Sequence, residues 1–377
     1  MRILLIGEYS NVHWTLAEGL RKLGHSVVVL SNGDFWKDYP RDISLVRHNG
    51  KLGGAAYIAK LLMLLPKLRG YDIVQLINPM FLELKAERIF AIYKYLRRHN
   101  KCVILGGYGM DYYWVSTCCN DKPLKYSDFN IGDKLRTNAD AMKERRDWLA
   151  TAKEHLNKMI ANDCDYIITG LYEYYVCYEK HFPEKTCFIP FPIVCKPTEV
   201  STNSDIIESV SKPTPKKTKI FIGINRTRSE YKGTDIMLKA AKDLESRHKN
   251  SMELVVAESV PFKQYCEMMN SSDAILDQLY SYTPAMNALE AMSKGIVCIG
   301  GGEEENYEIL HEDSLRPIIN VAPTYESVYT QLEDAINHPS QLRQKQADSI
   351  RYIKKHHDYI KVAKQYEYIY NKVLKTT

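Results

Sequence analysis

The feature that most constrains the fold is a regular alternation of short apolar runs with helical stretches. The apolar, often β-branched runs in the first half of the chain are RILLIG, SVVVLS, DIVQLI, CVILGG and DYIITG. Between them lie stretches with apolar residues at helical spacing, such as TLAEGLRKLG and ERIFAIYKYLRRH. Strands that alternate with helices form a parallel sheet covered by helices on both faces. The sequence therefore predicts an α/β fold with a doubly wound, Rossmann-like sheet.

The same rhythm resumes in the second half of the chain, in KIFIGI, MELVVA, DAILDQ, IVCIGG and PIINV. A polar segment from Thr198 to Thr218, rich in Ser, Thr, Lys and Pro, separates the two series. A length of 377 residues is enough for two ordinary domains. We therefore expect a domain over residues 1–192, another over 193–350, and a terminal helix over 351–377 that packs on the first domain. Two such domains would face each other across a cleft, which suits a two-substrate enzyme.

Charge and hydropathy argue against several classes of protein. The net charge of +5 is small, and acidic residues are spread among the basic ones, so no nucleic-acid partner is required. The N-terminal run MRILLIGEYS is typical of a first buried strand and not of a signal peptide. The most apolar segment, Ala55 to Leu65, is shorter than the roughly 18 residues of a spanning helix. We expect a cytoplasmic protein without a transmembrane segment, whose nine cysteines, which form no CxxC pair, are reduced.

A strand-to-helix loop in the second half concentrates positive charge. The strand KIFIGI is followed by NRTRSEYKGTDIMLKAA, which contains Arg226, Arg228 and Lys232. Ligands of open parallel sheets bind beyond the carboxyl ends of the strands, where this loop begins. Cations there would neutralise a diphosphate and stabilise the charge on a departing one. A solvated basic loop is the alternative interpretation.

The helix predicted over NALEAM adds two features. Its start offers the backbone N–H groups of Ala285, Met286 and Asn287 to a phosphate. Glu290 lies about one turn further on, where its carboxylate could accept hydrogen bonds from ribose hydroxyls. A surface glutamate is the alternative for Glu290.

Together, NRTRSEYKGTDIMLKAA and DAILDQLYSYTPAMNALEAMSKGIVCIGG resemble the nucleotide-sugar domain of retaining glycosyltransferases of the GT-B fold, especially the large family 4 group. The resemblance implies that Arg226 and Lys232 hold the donor diphosphate and act in catalysis, that Arg228 shares this role, and that Glu290 holds the donor ribose. It implies a retaining, hexosyltransferase-like enzyme that needs no metal ion and no other cofactor. The family has a further glutamate near the donor sugar, and Tyr282 stands at that position here.

The same resemblance assigns residues of the first domain. The loop GEYSNVHWTLAEGL corresponds to the glycine-bearing loop of such enzymes, so Gly7 would approach the donor, and Asn11 and His13 the donor or the acceptor. A helix cap is the alternative for Asn11. The loop GGYGMD would place Tyr108 and Asp111 on the acceptor side. Asp111 is then either a catalytic contact or a residue that fixes the loop.

The expected acceptor is a glycan or a lipid-linked glycan of surface-polysaccharide synthesis. Basic residues of the first domain are mixed with apolar ones and could lie against an anionic bilayer at the inner face of the membrane, although ordinary amphipathic helices would look the same. These residues are Lys51, Lys60, Lys67, Arg69 and the run YKYLRRHNK. The first domain thus allows a peripheral membrane contact.

The sequence also bears on other functions and ligands. A nicotinamide-dependent dehydrogenase is disfavoured because the first strand is not followed by GxGxxG. The acidic run Glu303 to Glu305 is interpreted as a solvated helix start and not as a metal site. Two alternatives stay open: a GT-B nucleotide-sugar epimerase, and a non-catalytic nucleotide-sugar or glycan-binding protein.

Overall fold

A computed structural model describes residues 1–195 and 217–376. The chain forms two compact units. The first unit comprises Met1–Pro123, Lys143–Pro192 and Tyr359–Thr377, and the second comprises Leu124–Met142 and Ile193–Asp358. Residues 124–142, expected in the first domain, thus belong to the second unit. The polar segment expected from Thr198 lies outside the described residues up to position 216.

The first unit contains a parallel sheet of seven strands. Its strands are β1 (Arg2–Ile6), β2 (Ser26–Ser31), β3 (Ile43–Ser44), β4 (Ile73–Leu76), β5 (Cys102–Gly107), β8 (Tyr166–Thr169) and β9 (Thr186–Phe188). They are ordered β3-β2-β1-β4-β5-β8-β9, so β1 lies between β2 and β4. Their apolar residues are almost wholly buried because helices cover both faces.

Helices on either side of this sheet complete the first unit. They are α1 (Val12–Lys22), α2 (Gly50–Leu64), α3 (Ala86–His99), α4 (Tyr112–Asn120), α6 (Ala152–Asp163), α7 (Tyr172–Glu179) and α15 (Tyr359–Thr376). One further helix, α5 (Ala139–Trp148), begins in residues of the second unit and ends in residues of the first. The last helix, α15, packs against α1 and buries Tyr366 and Tyr370.

The second unit has a parallel sheet of five strands. They are β10 (Thr218–Ile224), β11 (Met252–Glu258), β12 (Ala274–Leu276), β13 (Val297–Gly300) and β14 (Ile319–Asn320). Their order is β11-β10-β12-β13-β14, with every neighbouring pair parallel. Residues 124–142 add a short antiparallel pair, β6 (Asn130–Ile131) and β7 (Lys134–Leu135). Two doubly wound parallel sheets confirm the predicted fold class.

The helices of the second unit follow its strands in the expected alternation. They are α8 (Ser229–Lys232), α9 (Thr234–Arg247), α10 (Phe262–Asn270), α11 (Met286–Met292), α12 (Glu304–Ile309), α13 (Tyr325–Asn337) and α14 (Pro339–Tyr352). An apolar core that includes Ile220, Met237 and Val297 joins α9, α13 and α14 to the sheet. In the two described ranges, no helix is long and apolar enough to cross a membrane.

The terminal helix begins later than the sequence indicates. A π-helical turn over Ile353–His357 follows α14, and Asp358 has a non-helical ψ of 124°. The His357 carbonyl accepts a hydrogen bond from the Ile193 N–H at 2.7 Å, which draws the backbone out of the helical path. The helix predicted from residue 351 is therefore interrupted, and α15 starts at Tyr359.

Candidate functional site

The positively charged loop of the second unit follows β10 directly. The Asn225 side chain accepts a hydrogen bond from the Thr227 N–H at 3.2 Å and starts a 3-10 turn over Arg226–Arg228. Helix α8 follows and ends at Gly233, whose φ of 73° favours glycine. A Cβ there would come within 2.6 Å of the Leu279 Cβ. Glycine therefore lets the chain turn tightly against the loop after β12 and places Lys232 beside that loop.

Lys232 lies close to a carboxylate at the end of β12. The Leu279 N–H donates to the Lys232 carbonyl at 3.1 Å, which fixes the two loops together. Burial raises the pKa of Asp277, and the charge of Lys232 limits that rise. Asp277 also accepts hydrogen bonds from the Asn287 side chain and from the Ala285 N–H. The start of α11, predicted to hold a phosphate, thus already contacts a carboxylate.

The two arginines of the loop have different surroundings. The Arg226 guanidinium forms an ion pair with Glu258, at the end of β11, yet its side chain is 82% exposed. The Arg228 guanidinium lies 5.0 Å from the centroid of the Tyr231 ring, a cation–π distance. Both side chains lie beyond the carboxyl ends of the strands, as the sequence indicated.

Glu290 and Asn287 lie on the short helix α11. The Glu290 carboxylate is 2.8 Å from the Lys294 ammonium, one turn later, and its side chain is 48% exposed. The Asn287 side chain is hydrogen-bonded to Asp277 and Tyr265. The Glu290 carboxylate is therefore partly exposed, whereas the Asn287 amide fixes the loop after β12.

The contribution of residues 124–142, the docked segment, was missed from the sequence. Its Arg136 side chain is buried, although arginine rarely is. The guanidinium donates hydrogen bonds to the carbonyls of Glu230 (2.7 Å) and Tyr231 (3.0 Å), the two residues before Lys232. It also lies 3.6 Å from the centroid of the Tyr280 ring. One buried cation thus joins the Lys232 loop to the loop after β12.

Tyr282, at the position of the family's first glutamate, also contacts the docked segment. Its side chain is buried, and its hydroxyl accepts a hydrogen bond from the Lys125 N–H at 2.7 Å. Its ring centroid lies 5.1 Å from that of Tyr126, whose hydroxyl donates to Glu303. Glu303 directly precedes α12 and Glu304 is exposed in its first turn, as predicted, but Glu303 itself is bonded and mostly buried.

In the first unit, the loop after β1 carries a buried carboxyl group, that of Glu8, which was missed from the sequence. Gly7 has a φ of 89°, and a Cβ there would lie 2.2 Å from the Ile77 Cγ2. Glu8 follows and accepts hydrogen bonds from the N–H groups of His13 (3.2 Å) and Trp14 (2.9 Å). Burial raises the pKa of Glu8 to about 8, so at neutral pH it is mostly protonated. The sequence feature that could have identified Glu8 is its place directly after the glycine of this loop.

Asn11 stands at the start of α1 without capping it. Its backbone has a φ of 69°, and its side chain makes no capping hydrogen bond. The Oδ1 atom is buried and has no hydrogen-bond partner within the described part of the chain. Glu8 holds the start of the helix instead, so the cap considered for Asn11 is not formed. Asn11 remains a candidate for binding a polar ligand.

His13 and Tyr108, predicted on the acceptor side, lie in a buried network. Burial lowers the pKa of His13 to about 3, so the ring is neutral. Nδ1 then donates to the Gly7 carbonyl (2.9 Å), and Nε2 accepts from the Gln75 amide (3.2 Å). Gln75 also donates to the Tyr108 hydroxyl and accepts from that of Tyr370. These contacts hold the Gly7 loop from inside the unit.

Asp111 is the N-cap of α4. Its Oδ1 accepts a hydrogen bond from the Trp114 N–H at 2.9 Å, and its Oδ2 accepts one from the Tyr178 hydroxyl at 2.7 Å. The residue is buried, and burial raises its pKa to about 6. These contacts support the loop-fixing role, and the catalytic role of Asp111 stays a prediction.

Among the described residues, side chains of the types that bind metal ions do not cluster. Within residues 1–195 and 217–376, no group of three or more His, Cys, Asp or Glu side chains could hold a metal ion. The nine cysteines are free thiols.

Comparisons with known proteins identify the fold. No family model and no curated protein matches the sequence. Sucrose-phosphate synthase from Thermosynechococcus elongatus is 11% identical, with a TM-score of 0.64 over 100% of both chains. Anabaena HepE in complex with UDP-glucose is 12% identical, with a TM-score of 0.59 over 100% of both chains. A Listeria monocytogenes protein assigned as a UDP-N-acetylglucosamine 2-epimerase is 10% identical, with a TM-score of 0.57 over 100% and 97%. The chain has the GT-B fold that these proteins share.

Proposed function

We propose that the chain is a glycosyltransferase that moves a sugar from a nucleotide-sugar donor to a hydroxyl group of a glycan or lipid-linked glycan, with retention of configuration. One observation carries the proposal. Arg226, Arg228 and Lys232 lie together beyond the carboxyl end of β10, where open parallel sheets bind their ligands. The match of the whole chain to a protein bound to UDP-glucose supports the choice of ligand.

In this proposal the loop cations bind the donor diphosphate. Lys232 lies beside Asp277, whose pKa burial already raises. A diphosphate at Lys232 would add negative charge near that carboxylate, and like charges favour the protonated form. Donor binding is therefore expected to be coupled to proton uptake by Asp277.

The same cations would assist the chemical step. Negative charge grows on the diphosphate as its bond to the anomeric carbon of the sugar breaks, and fixed cations at Arg226 and Lys232 would stabilise that charge. This electrostatic assistance requires no metal ion. The acceptor hydroxyl attacks on the face from which the diphosphate leaves and gives its proton to the departing phosphate oxygen, so the configuration is retained. Glu290 accepts hydrogen bonds from the ribose.

On the acceptor side, the proposal relies on the loops of the first unit. In the loop after β1, Gly7 would let the backbone approach the donor, and the buried Asn11 Oδ1 is an unused hydrogen-bond acceptor within the described chain. Asp111 holds the following loop and stays a candidate catalytic contact. His13 and Tyr108 would act through the position of the Gly7 loop.

Calorimetric titration with UDP, GDP, ADP and CDP, without added metal, tests the donor site. We expect one nucleotide to bind the wild-type protein, and Lys232→Ala and Glu290→Ala each to weaken that binding by about 1 to 3 kcal/mol. Lys239→Ala and Glu308→Ala remove exposed charges of the same unit and serve as controls, for which affinity should be unchanged. Failure of all four nucleotides to bind folded wild-type protein would contradict the proposal.

The shared fold of the Listeria protein keeps a nucleotide-sugar epimerase as the second candidate. The two activities differ in product, since an epimerase converts the donor without an acceptor into a second nucleotide sugar. NMR analysis of the donor after incubation with the protein separates them. A transferase releases the free nucleotide, slowly by hydrolysis or faster with an acceptor, and a binding protein leaves the donor unchanged.

A further inference from the structure

Helix α2 exposes an apolar stripe to solvent. Of its fifteen residues, only Tyr57 and Leu61 are buried, although most are apolar. Leu52 is 88% exposed, Met63 72% and Leu62 55%. The apolar stripe consists of Leu52, Ala55, Ala56, Ala59, Leu62 and Met63, which are all exposed and fall on one side of the helix by their spacing. A helix that is apolar on all sides is ordinarily buried on all sides, so this stripe indicates a contact surface.

Two exposed aromatic side chains extend this surface. Phe35 is 65% exposed and Trp36 61%, both in the short turn after β2. Phe35 lines the same surface pocket as Val46 and Gly50, so the turn lies beside the start of α2. Aromatic residues of this kind are common where an apolar phase meets a polar one.

The chain segment that carries the stripe has charges of a single sign, whereas Asp38 and Glu83 line the adjoining pocket and Asp38 is paired with Arg41. Between Asp42 and Asp72 the sequence has no acidic residue, and it has five basic ones: Arg47, Lys51, Lys60, Lys67 and Arg69. These five are exposed, and none forms an ion pair with any residue of the two described ranges. A second copy of the chain docked symmetrically on this face would bring like charges together. The face is complementary to a negatively charged surface.

The other basic run of the first unit, YKYLRRHNK, lies on and after α3. It differs from α2 in its ion pairs and in the burial of its apolar residues. Arg97 pairs with Asp165 at 2.7 Å, and Lys101 pairs with Asp72 at 2.8 Å. Tyr93 and Leu96 are buried against the sheet. This run has no exposed apolar stripe, and part of its charge is already neutralised.

We propose that α2 and the turn of Phe35 and Trp36 dock the first unit on an anionic lipid bilayer. The helix lies in the plane of the membrane, with its apolar stripe among the headgroups and upper acyl chains. The lysine side chains reach outward, so that their ammonium groups contact the lipid phosphates. This inference is independent of the catalytic proposal, because it uses none of the donor-site residues.

Cosedimentation with vesicles tests the docking surface directly. Wild-type protein is expected to bind phosphatidylcholine vesicles that contain about 30% phosphatidylglycerol, and to bind pure phosphatidylcholine much more weakly. Leu52→Ser, Leu62→Ser and Met63→Ser together should lower binding about tenfold or more. Lys51→Ser, Lys60→Ser and Lys67→Ser should lower it about fivefold for each cation removed. The effect of the lysines should shrink at high salt, since salt screens exposed charges.

The basic residues of α3 provide a matched control. Lys94→Ser and Arg98→Ser remove exposed charges of the same unit and should leave vesicle binding nearly unchanged. Equal loss of binding in this control, or equal binding of the wild type to both kinds of vesicle, would overturn the proposal. So would a wild-type dimer in sedimentation analysis that the Leu52, Leu62 and Met63 variant converts to a monomer while neither protein binds vesicles.

Failure of this inference can be told apart from failure of the proposed function. Vesicle binding is measured without nucleotide, and nucleotide titration is measured without vesicles. The substituted side chains are exposed, so circular dichroism and thermal unfolding of each variant should match the wild type.

Discussion

The guanidinium of Arg136 lies 3.6 Å from the centroid of the Tyr280 ring and donates hydrogen bonds to the carbonyls of Glu230 and Tyr231. It also donates to the Ser127 carbonyl of its own segment at 3.2 Å. A planar cation with five N–H donors suits this position, because it can stack on a ring and bind several carbonyls at once. Arg136 therefore determines where the backbone before Lys232 lies.

Replacing Arg136 should loosen the second unit and weaken nucleotide binding together. Arg136→Ala leaves buried carbonyls without their donor, and we expect a loss of about 2 to 4 kcal/mol in the free energy of unfolding. Arg136→Lys restores a charge but neither the stacking nor the several hydrogen bonds, so it should recover only part of the loss. Urea unfolding and nucleotide titration measure the two effects.

Arg316 is the matched control for Arg136. Its guanidinium also lies over a tyrosine ring, 4.1 Å from the Tyr307 centroid, but it is exposed and pairs with Glu304. Exposed pairs contribute little, so Arg316→Ala should leave both measurements close to wild type. An equal loss of stability in the two variants would contradict the special role of the docked segment.

Tyr282→Phe tests whether the tyrosine contacts the donor or supports the site. Because its hydroxyl accepts a hydrogen bond from the Lys125 N–H, the variant should lose about 1 kcal/mol of unfolding free energy and keep its nucleotide affinity. Tyr329→Phe removes an exposed hydrogen bond from Arg247 and should lower the free energy of unfolding by less. A large loss of affinity at wild-type stability would instead assign the hydroxyl to the donor.

Glu8→Gln should remove a pH dependence from the stability of the first unit. The folded protein holds the Glu8 proton up to a pKa of about 8, whereas an unfolded glutamate loses it near 4.5. The contribution of Glu8 to the free energy of unfolding is thus fully present below about pH 4.5. It is lost as the pH rises to 8, by a few kcal/mol in total at about 1.4 kcal/mol per pKa unit. Urea unfolding between pH 5 and 8 should show a flatter profile for Glu8→Gln. The exposed Glu87→Gln should follow the wild type, and identical profiles for all three proteins would contradict the prediction.

Glu312→Gln should have the opposite pH dependence. Burial alone would raise the pKa of Glu312, but hydrogen bonds from Lys355 and His356 outweigh it and hold the pKa well below its usual range. The carboxylate therefore stabilises the second unit above about pH 4.5, and this contribution is lost as the pH falls. At pH 7 the variant should be less stable by about 2 to 3 kcal/mol. Its difference from the wild type should narrow in acid, and a constant difference down to pH 3 would argue against this account.

The parts of the fold that follow from local patterns could be predicted. IVCIGG became β13, NALEAM became α11, and the loop of Arg226 and Lys232 lies where a strand-to-helix loop of a parallel sheet must lie. The pair of Glu290 with Lys294 was also predictable, since glutamate four residues before lysine is a common helical ion pair. These features depend on residues that are close together in sequence.

The remaining parts of the site depend on pairs that are distant in sequence. Arg136 lies 95 positions before Tyr231, and Lys125 lies 157 positions before Tyr282. Neither hydrophobic periodicity nor motif spacing in a single sequence shows which distant residues form contacts. The same is true of His13, which the resemblance places near a ligand but which is hydrogen-bonded in the fold to Gln75, itself a partner of Tyr370.

The division of the chain also has a consequence for its synthesis. The polypeptide passes from one unit to the other after Pro123, Met142, Pro192 and Asp358. The docked segment leaves the ribosome before the sheet on which it packs exists. Gln75 can form its hydrogen bond with Tyr370 only after 295 further residues have been synthesised. Domains usually fold as units in the order in which they are made. Here neither unit can close before nearly all of the chain has been translated, so both are expected to reach their final form at about the same time.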